Sequence, residues 1–150
     1  MDSRTYVRPL TVEDGELLHE IDQQEARRYR LEPALTRGSL SFYARTGHSL
    51  VAVRGDRPCG FVLAQAVWNG TRPTVVATRL AVLADDDDEA RAALVAALTK
   101  SAYDAAVYDL QVQLSRRDGR TAQVLTSQQY RDLPLSFYGR VLGSRGQEGT

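Results

Sequence analysis

Asp85-Asp86-Asp87-Asp88-Glu89 is the densest run of titratable groups in the chain, and it stands between an apolar, strand-like stretch and an alanine-rich segment. At a strand-to-helix junction the first backbone N–H groups of the helix point outward, and they grip phosphate where glycines allow close approach and the local charge is positive. No glycine lies between Ala84 and Tyr103, and the sign of the run is negative. The run has three readings. It is a solvated helix start favoured by the helix dipole. It is a Mg²⁺ or Ca²⁺ site, for which it has oxygen ligands but neither the spacing nor the turn glycine of a calcium loop, so no metal is assigned. Or it is half of a charge network whose other half is Arg116-Arg117-Asp118-Gly119-Arg120.

Other chemistry-bearing side chains are sparse. The single cysteine, Cys59, excludes an internal disulfide and a multi-cysteine metal site, and no helix start or base adjoins it to lower its pKa. His48 precedes a strand and reads as a satisfied structural residue; His19 lies on the first helix and reads as exposed. Gln65 is polar in an otherwise apolar strand, and a buried amide needs partners. Trp68, near the end of that strand, reads first as packing. No Ser/His/Asp, Cys/His or dinucleotide signature rises above chance.

The elements that must position these residues follow from periodicity. Tyr6 to Leu10 reads as an edge strand with Pro9, and Thr11-x-x-Asp14 as a helix start for Val12 to Asp22. A second helix runs from Ser39 to Arg45. Ser49–Arg54 and Cys59–Trp68 are strands joined by a turn at Gly55-Asp56-Arg57-Pro58. Thr74–Leu83 is a strand, Asp85–Tyr108 the longest helix, and Asp109–Leu114 an alternating strand, so the last two strands flank a crossover helix and run parallel. A helix at Arg120–Gln129 and a strand-like Leu135–Leu142 follow. Parallel strands end at the same edge of a sheet, which is what brings the acidic and arginine-rich loops together.

The chain's 150 residues make one domain, residues 1–143, with 144–150 as a disordered tail. Formal net charge is zero, so nothing global recruits nucleic acid or an anionic membrane. The neutrality hides an asymmetry: seven acids against two bases from Leu80 to Leu110, then three acids against six arginines from Gln111 onward. No segment has the roughly 18 apolar residues of a membrane span and no secretion signal is evident, which points to the cytoplasm.

The ordered features YVRPLTVEDGELLHEID, SLVAVRGDRPCGFVLAQAVW and the strand–helix–strand after them resemble the GNAT (GCN5-related N-acetyltransferase) superfamily, and ARTGHSLVAV with the late RVLGSRG resembles a small uncharacterised GNAT-like subgroup. The resemblance implies an α+β fold: a mixed, mostly antiparallel twisted sheet with a central βαβ unit and helices on both faces. It implies acetyl-CoA held in a splay between the two parallel strands, with backbone groups of Arg79, Leu80, Ala81 and Val82 on its pantetheine arm, and attack by a small-molecule or protein amine. It also implies a substrate groove for which Tyr43, His48, Gln65 and Trp68 are candidates.

Where the family's phosphate loop carries Q/R-x-x-G-x-G/A, this chain has Asp86, Glu89 and Arg91 at the three key positions. Where the family has a cofactor-touching Asn and a general-acid Tyr, it has Gly119 and Thr126; Tyr130, one helical turn on, substitutes only if the helix is shifted. Two functions remain open. One is an acyl-CoA-dependent N-acyltransferase with a non-standard cofactor grip. The other is a non-catalytic GNAT-fold module that binds a small ligand or a partner, a homodimer included.

Overall fold

The computed structural model describes residues 4–143. Its strands are β1 (Thr5–Pro9), β2 (Leu50–Arg54), β3 (Arg57–Asn69), β4 (Arg72–Val82) and β5 (Leu110–Val112); its helices are α1 (Gly15–Tyr29), α2 (Arg37–Tyr43), α3 (Asp88–Asp104) and α4 (Gly119–Ser127). The five strands form one sheet in chain order, antiparallel from β1 to β4 and parallel between β4 and β5.

Local chemistry sets the boundaries. A 3₁₀ turn, Val12–Asp14, precedes α1. Asp14 accepts the Thr11 N–H at 2.7 Å and is held by Arg8 through two hydrogen bonds, 2.7 and 3.0 Å, so the strand, the proline and the helix start form one unit. Gly55 and Asp56, both at positive φ (58° and 62°), make a two-residue turn between the paired Arg54 and Arg57. The long helix begins later than its periodicity suggests: Asp85–Asp87 form a turn and Asp87 is the N-cap, its carboxylate accepting the Ala90 N–H at 3.0 Å.

Strand alternation divides the core into two layers. Leu50, Ala52, Val62, Ala64, Val75, Ala77, Leu80 and Val82 pack under α3, joined by Leu125 of α4. On the other face, Val51, Val53, Phe61, Leu63 and Ala81 pack with Leu18 and Ile21 of α1 and Leu40 of α2. At Gly60 a Cβ would stand 2.8 Å from the Ala81 carbonyl oxygen and 3.1 Å from Leu94, so only glycine lets β3, β4 and α3 meet there.

Leu135–Leu142 is not a strand. Every residue from 131 to 143 is exposed, Pro134 offers no N–H, and β5 ends the sheet without a further neighbour among the described residues. The tail expected at 144–150 lies outside the described residues.

Candidate functional site

The register between β3 and β4 slips between Leu63/Ala64, which pair with Arg79 and Ala77, leaving Thr78 as an extra residue on β4. Pairing of β4 with β5 stops at Ala77–Val112, the last bond being Gln113 N–H to Ala77 O at 2.9 Å. Beyond this bulge β4 runs on to Val82 with, among the described residues, only β3 paired beside it, and a splay opens between β4 and β5. The Leu83 N–H bonds Cys59 O at 3.0 Å, so by alternation Arg79 and Ala81 face β3, while Leu80 and Val82 turn their backbone groups into the splay.

The mouth of the splay is filled by the protein's own charges. Arg28, on the last turn of α1, donates to Val82 O (3.3 Å) and Leu83 O (3.0 Å), and lies 3.5 Å from Glu25 and 3.6 Å from Asp85. Arg91, on the first turn of α3, is fully buried. Its guanidinium donates to the Asp85 carbonyl oxygen, to Asp88 at 2.9 Å, to Asp85 Oδ1 at 3.3 Å and to Thr121 Oγ1 at 3.0 Å. Thr121 belongs to α4 and is itself fixed by the N-cap Asp118, at 3.0 Å from its N–H and 2.6 Å from its hydroxyl. Arg91 therefore stitches α3 to α4 across the opening. On the other flank of the acidic loop, Arg54 at the end of β2 lies 2.8 Å from Asp87 and 3.4 Å from Glu89.

Burial and these partners set the titration. The Glu25 carboxyl is pushed up to about 7, first by burial and then by Asp118, with Arg28, Arg91 and Arg79 acting in the opposite sense. Among the described residues its Oε2 has no hydrogen-bond donor, and neither does the buried Nη1 of Arg79 find an acceptor. Burial, with Asp118 beside the hydroxyl, pushes Tyr29 up to about 12. The Arg54 guanidinium holds Asp87 below the usual carboxylate range, and Asp87 in turn raises Arg54.

Residues 6–140 match the family described as "Protein of unknown function (DUF1999)". The chain belongs to this family. The DUF1999 chain is also similar to the crystal structure of wild-type TTHA1254 from Thermus thermophilus, at 39% identity over 93% of this chain and 98% of that one, with a TM-score of 0.76. At low identity it matches a ribosomal-protein-alanine N-acetyltransferase from Brucella melitensis biovar Abortus 2308 (15%, TM-score 0.71, 93% and 99% of the two chains). It likewise matches aminoglycoside N-acetyltransferase AAC(6')-Iy in complex with CoA (14%, TM-score 0.73, 94% and 97%). The fold is the GNAT fold. No curated protein matches the chain.

Within this DUF1999 fold the residues singled out from sequence are distributed as follows. Asp85 to Asp88 lie at the mouth; Arg120 reaches Asp88 at 3.5 Å, while Arg116 and Arg117 are exposed on the loop before α4. Most of the neutralising charge comes instead from Arg28, Arg54 and Arg91. Tyr43 and Gln65 lie on the α1/α2 face, the Tyr43 hydroxyl 3.0 Å from Thr78 Oγ1. His48 is on the α3 face with Nδ1 2.7 Å from Ser101 Oγ, and burial lowers its pKa. Trp68, also on that face by alternation, is 74% exposed beyond the end of α3, so it is neither core nor close to Tyr43. The four groove candidates do not converge. Tyr130 lies past the C-cap of α4 with its hydroxyl 2.7 Å from Thr99 Oγ1, three helical turns along α3 from the mouth.

Sequence reasoning missed Glu25, Arg28 and Arg54 and placed Arg91 only as a departure from the phosphate loop, though a signal existed for Glu25 and Arg91. Arg91 stands with Leu94, Val95 and Leu98 at i, i+3, i+4 and i+7, and Glu25 completes the same series with Leu18, Ile21 and Asp22. A charged residue in register with an apolar stripe is one the fold buries.

The mouth does not fit a coenzyme A pyrophosphate. A carboxylate–phosphate pair at ~7 Å costs roughly 0.6 kcal/mol even at the dielectric of water, comparable to the ~0.3–1 kcal/mol that a helix terminus returns. Five acids line this loop, Asp87 caps the helix start, and Arg28, Arg54 and Arg91 are already paired with them.

Proposed function

We propose that this DUF1999 protein is a non-catalytic GNAT-fold module in which the acetyl-CoA site has been lost, and that it works by binding a small ligand or a protein partner. One observation carries the reading: the buried Arg91, bonded to Asp85, Asp88 and Thr121, closes the opening through which the cofactor's phosphates enter the fold. That bonding consumes the one buried arginine among the described residues.

The test is the melting temperature with and without millimolar acetyl-CoA, backed by titration calorimetry. Ligand at a hundred times its dissociation constant stabilises by about 2.7 kcal/mol, a shift of several degrees. The expected result is no shift and no heat; a saturable shift sinks the proposal.

A second reading, an acyl-CoA-dependent N-acyltransferase with a non-standard grip, draws on Glu25. A carboxyl poised near 7 at the splay is in the range of a general base for an acceptor amine. Acetyl-CoA binding that Glu25→Gln leaves intact, with acetyl transfer abolished, is the outcome that favours it.

A further inference from the structure

Among the described residues the sheet ends on a strand that is open on one side, and an apolar segment of the same chain has nothing to cover it. The bonds Val75 N–H to Asp109 O and Gln113 N–H to Ala77 O show that residues 109, 111 and 113 of the β5 region face β4. By alternation the backbone groups of Leu110, Val112 and Leu114 point outward, as an unfilled template for another strand. From Arg131 the chain leaves the body as a strap. Leu133, Leu135 and Phe137 alternate along it, 40%, 63% and 74% exposed, followed by Tyr138, Val141 and Leu142, at 98%, 54% and 68%.

We infer that the strap of one copy adds as a strand to the β5 edge of a second copy, and that the exchange is reciprocal about a twofold axis. Three observations select a second copy as the occupant. In the single chain the strap does not pair with its own edge: the Tyr130 N–H bonds Leu125 O, its hydroxyl meets Thr99 of α3, and beyond it every described residue is exposed. Thirteen extended residues span ~40 Å, enough to cross onto a neighbour. The six apolar side chains expose roughly 700–800 Å² per chain, close to the ~800 Å² that each partner contributes to a standard interface. The apolar face of the strap continues the layer in which Leu110 and Val112 already pack under α3, and the edge supplies the backbone partners that water would otherwise provide. The exchange is independent of whether the mouth binds acetyl-CoA.

The decisive measurement is the solution mass of the full chain, by light scattering, beside Phe137→Asp and Tyr138→Asp variants. Both side chains are exposed in the single chain, so the variants leave its fold and circular dichroism unchanged. The wild type is expected at twice the 16.6 kDa chain mass and the variants at once that mass, with dimer dissociation shifted at least ~100-fold, as for a central aromatic anchor. Hydrogen exchange assigns the edge: the Val112 amide is slow in the wild type and fast in the variants. A monomeric wild type overturns the inference, as does a dimer that survives Phe137→Asp. If the dimer dissociates while the Val112 amide is equally fast throughout, the strap docks elsewhere and the edge assignment falls.

Discussion

Glu25 shows how far one side chain can be moved by its surroundings. It is 2% exposed, with one oxygen lacking a donor, and its carboxyl titrates near 7 instead of near 4.5. The folded state therefore holds a proton that the unfolded chain releases between those values, so stability is highest at the acidic end of the window and falls as pH rises from about 4.5 to 7. In Glu25→Gln this part of the slope disappears, and by pH 8 the variant is expected to be about 2–3 kcal/mol more stable relative to wild type than it is at pH 5. Urea titrations at the two pH values check this; parallel pH profiles exclude the shifted carboxyl. Arg91 is the opposite case, a buried charge whose partners are all in place. Arg91→Ala opens a void and leaves the buried Thr121 hydroxyl without its donor, while Asp85 and Asp88 remain solvated, and is expected to cost about 2–4 kcal/mol by urea unfolding. Arg91→Lys restores little, because one ammonium cannot reproduce the forked contacts to both aspartates and to Thr121.

At the scale of elements, the β4–α3 junction is where packing and capping coincide. Asp87→Ala removes the N-cap of α3 and strips Arg54 of its carboxylate, an expected loss of about 1–3 kcal/mol in thermal or urea unfolding. Asp87 is held low by Arg54, so its stabilisation is complete above the ordinary carboxylate pKa and is lost as pH falls through the lowered one. The difference between wild type and variant should accordingly shrink on acidification. Gly60→Ala pushes a methyl against the Ala81 carbonyl and Leu94, forcing β3 and α3 apart, for about 1–3 kcal/mol. Much of this architecture was legible in sequence, because it rests on local rules. Thr11 and Asp14 announce the first helix, Gly55-Asp56 the hairpin, and the change of period from β4 to α3 to β5 the parallel pair. The mouth was only half legible. The acids declare themselves as a run, but their partners Arg28, Arg54 and Arg91 come from three separate elements, and a charged residue on an amphipathic helix reads as solvated until tertiary packing buries it. Leu135–Leu142 misled for the converse reason: an alternating apolar pattern specifies a strand only where it meets an edge, and within one chain this segment does not lie along the open edge of β5.

For the molecule as a whole, two apolar layers share one sheet, and α1, α3 and α4 are tied together at the mouth by ionic and hydrogen-bonded contacts. Such a unit unfolds as one: far-ultraviolet dichroism and near-ultraviolet tyrosine absorbance should trace coincident urea transitions. Trp68, the single tryptophan, is already exposed, and its emission is expected to change little in wavelength. Cys59 offers a finer instrument. The only thiol in the chain lies beneath β2 with its sulfur 3.6 Å from Ala52 O, its pKa raised by burial, and its own carbonyl taken by Leu83 at the start of the acidic loop. A neutral, inaccessible thiol is inert to alkylation, so each labelling event counts one opening of the β2–β3–β4 corner. With excess reagent under native conditions, the labelling rate becomes a clock for that opening, readable by intact mass with one addition per chain, and loosening the clasp between Arg54 and Asp87 should make it run faster.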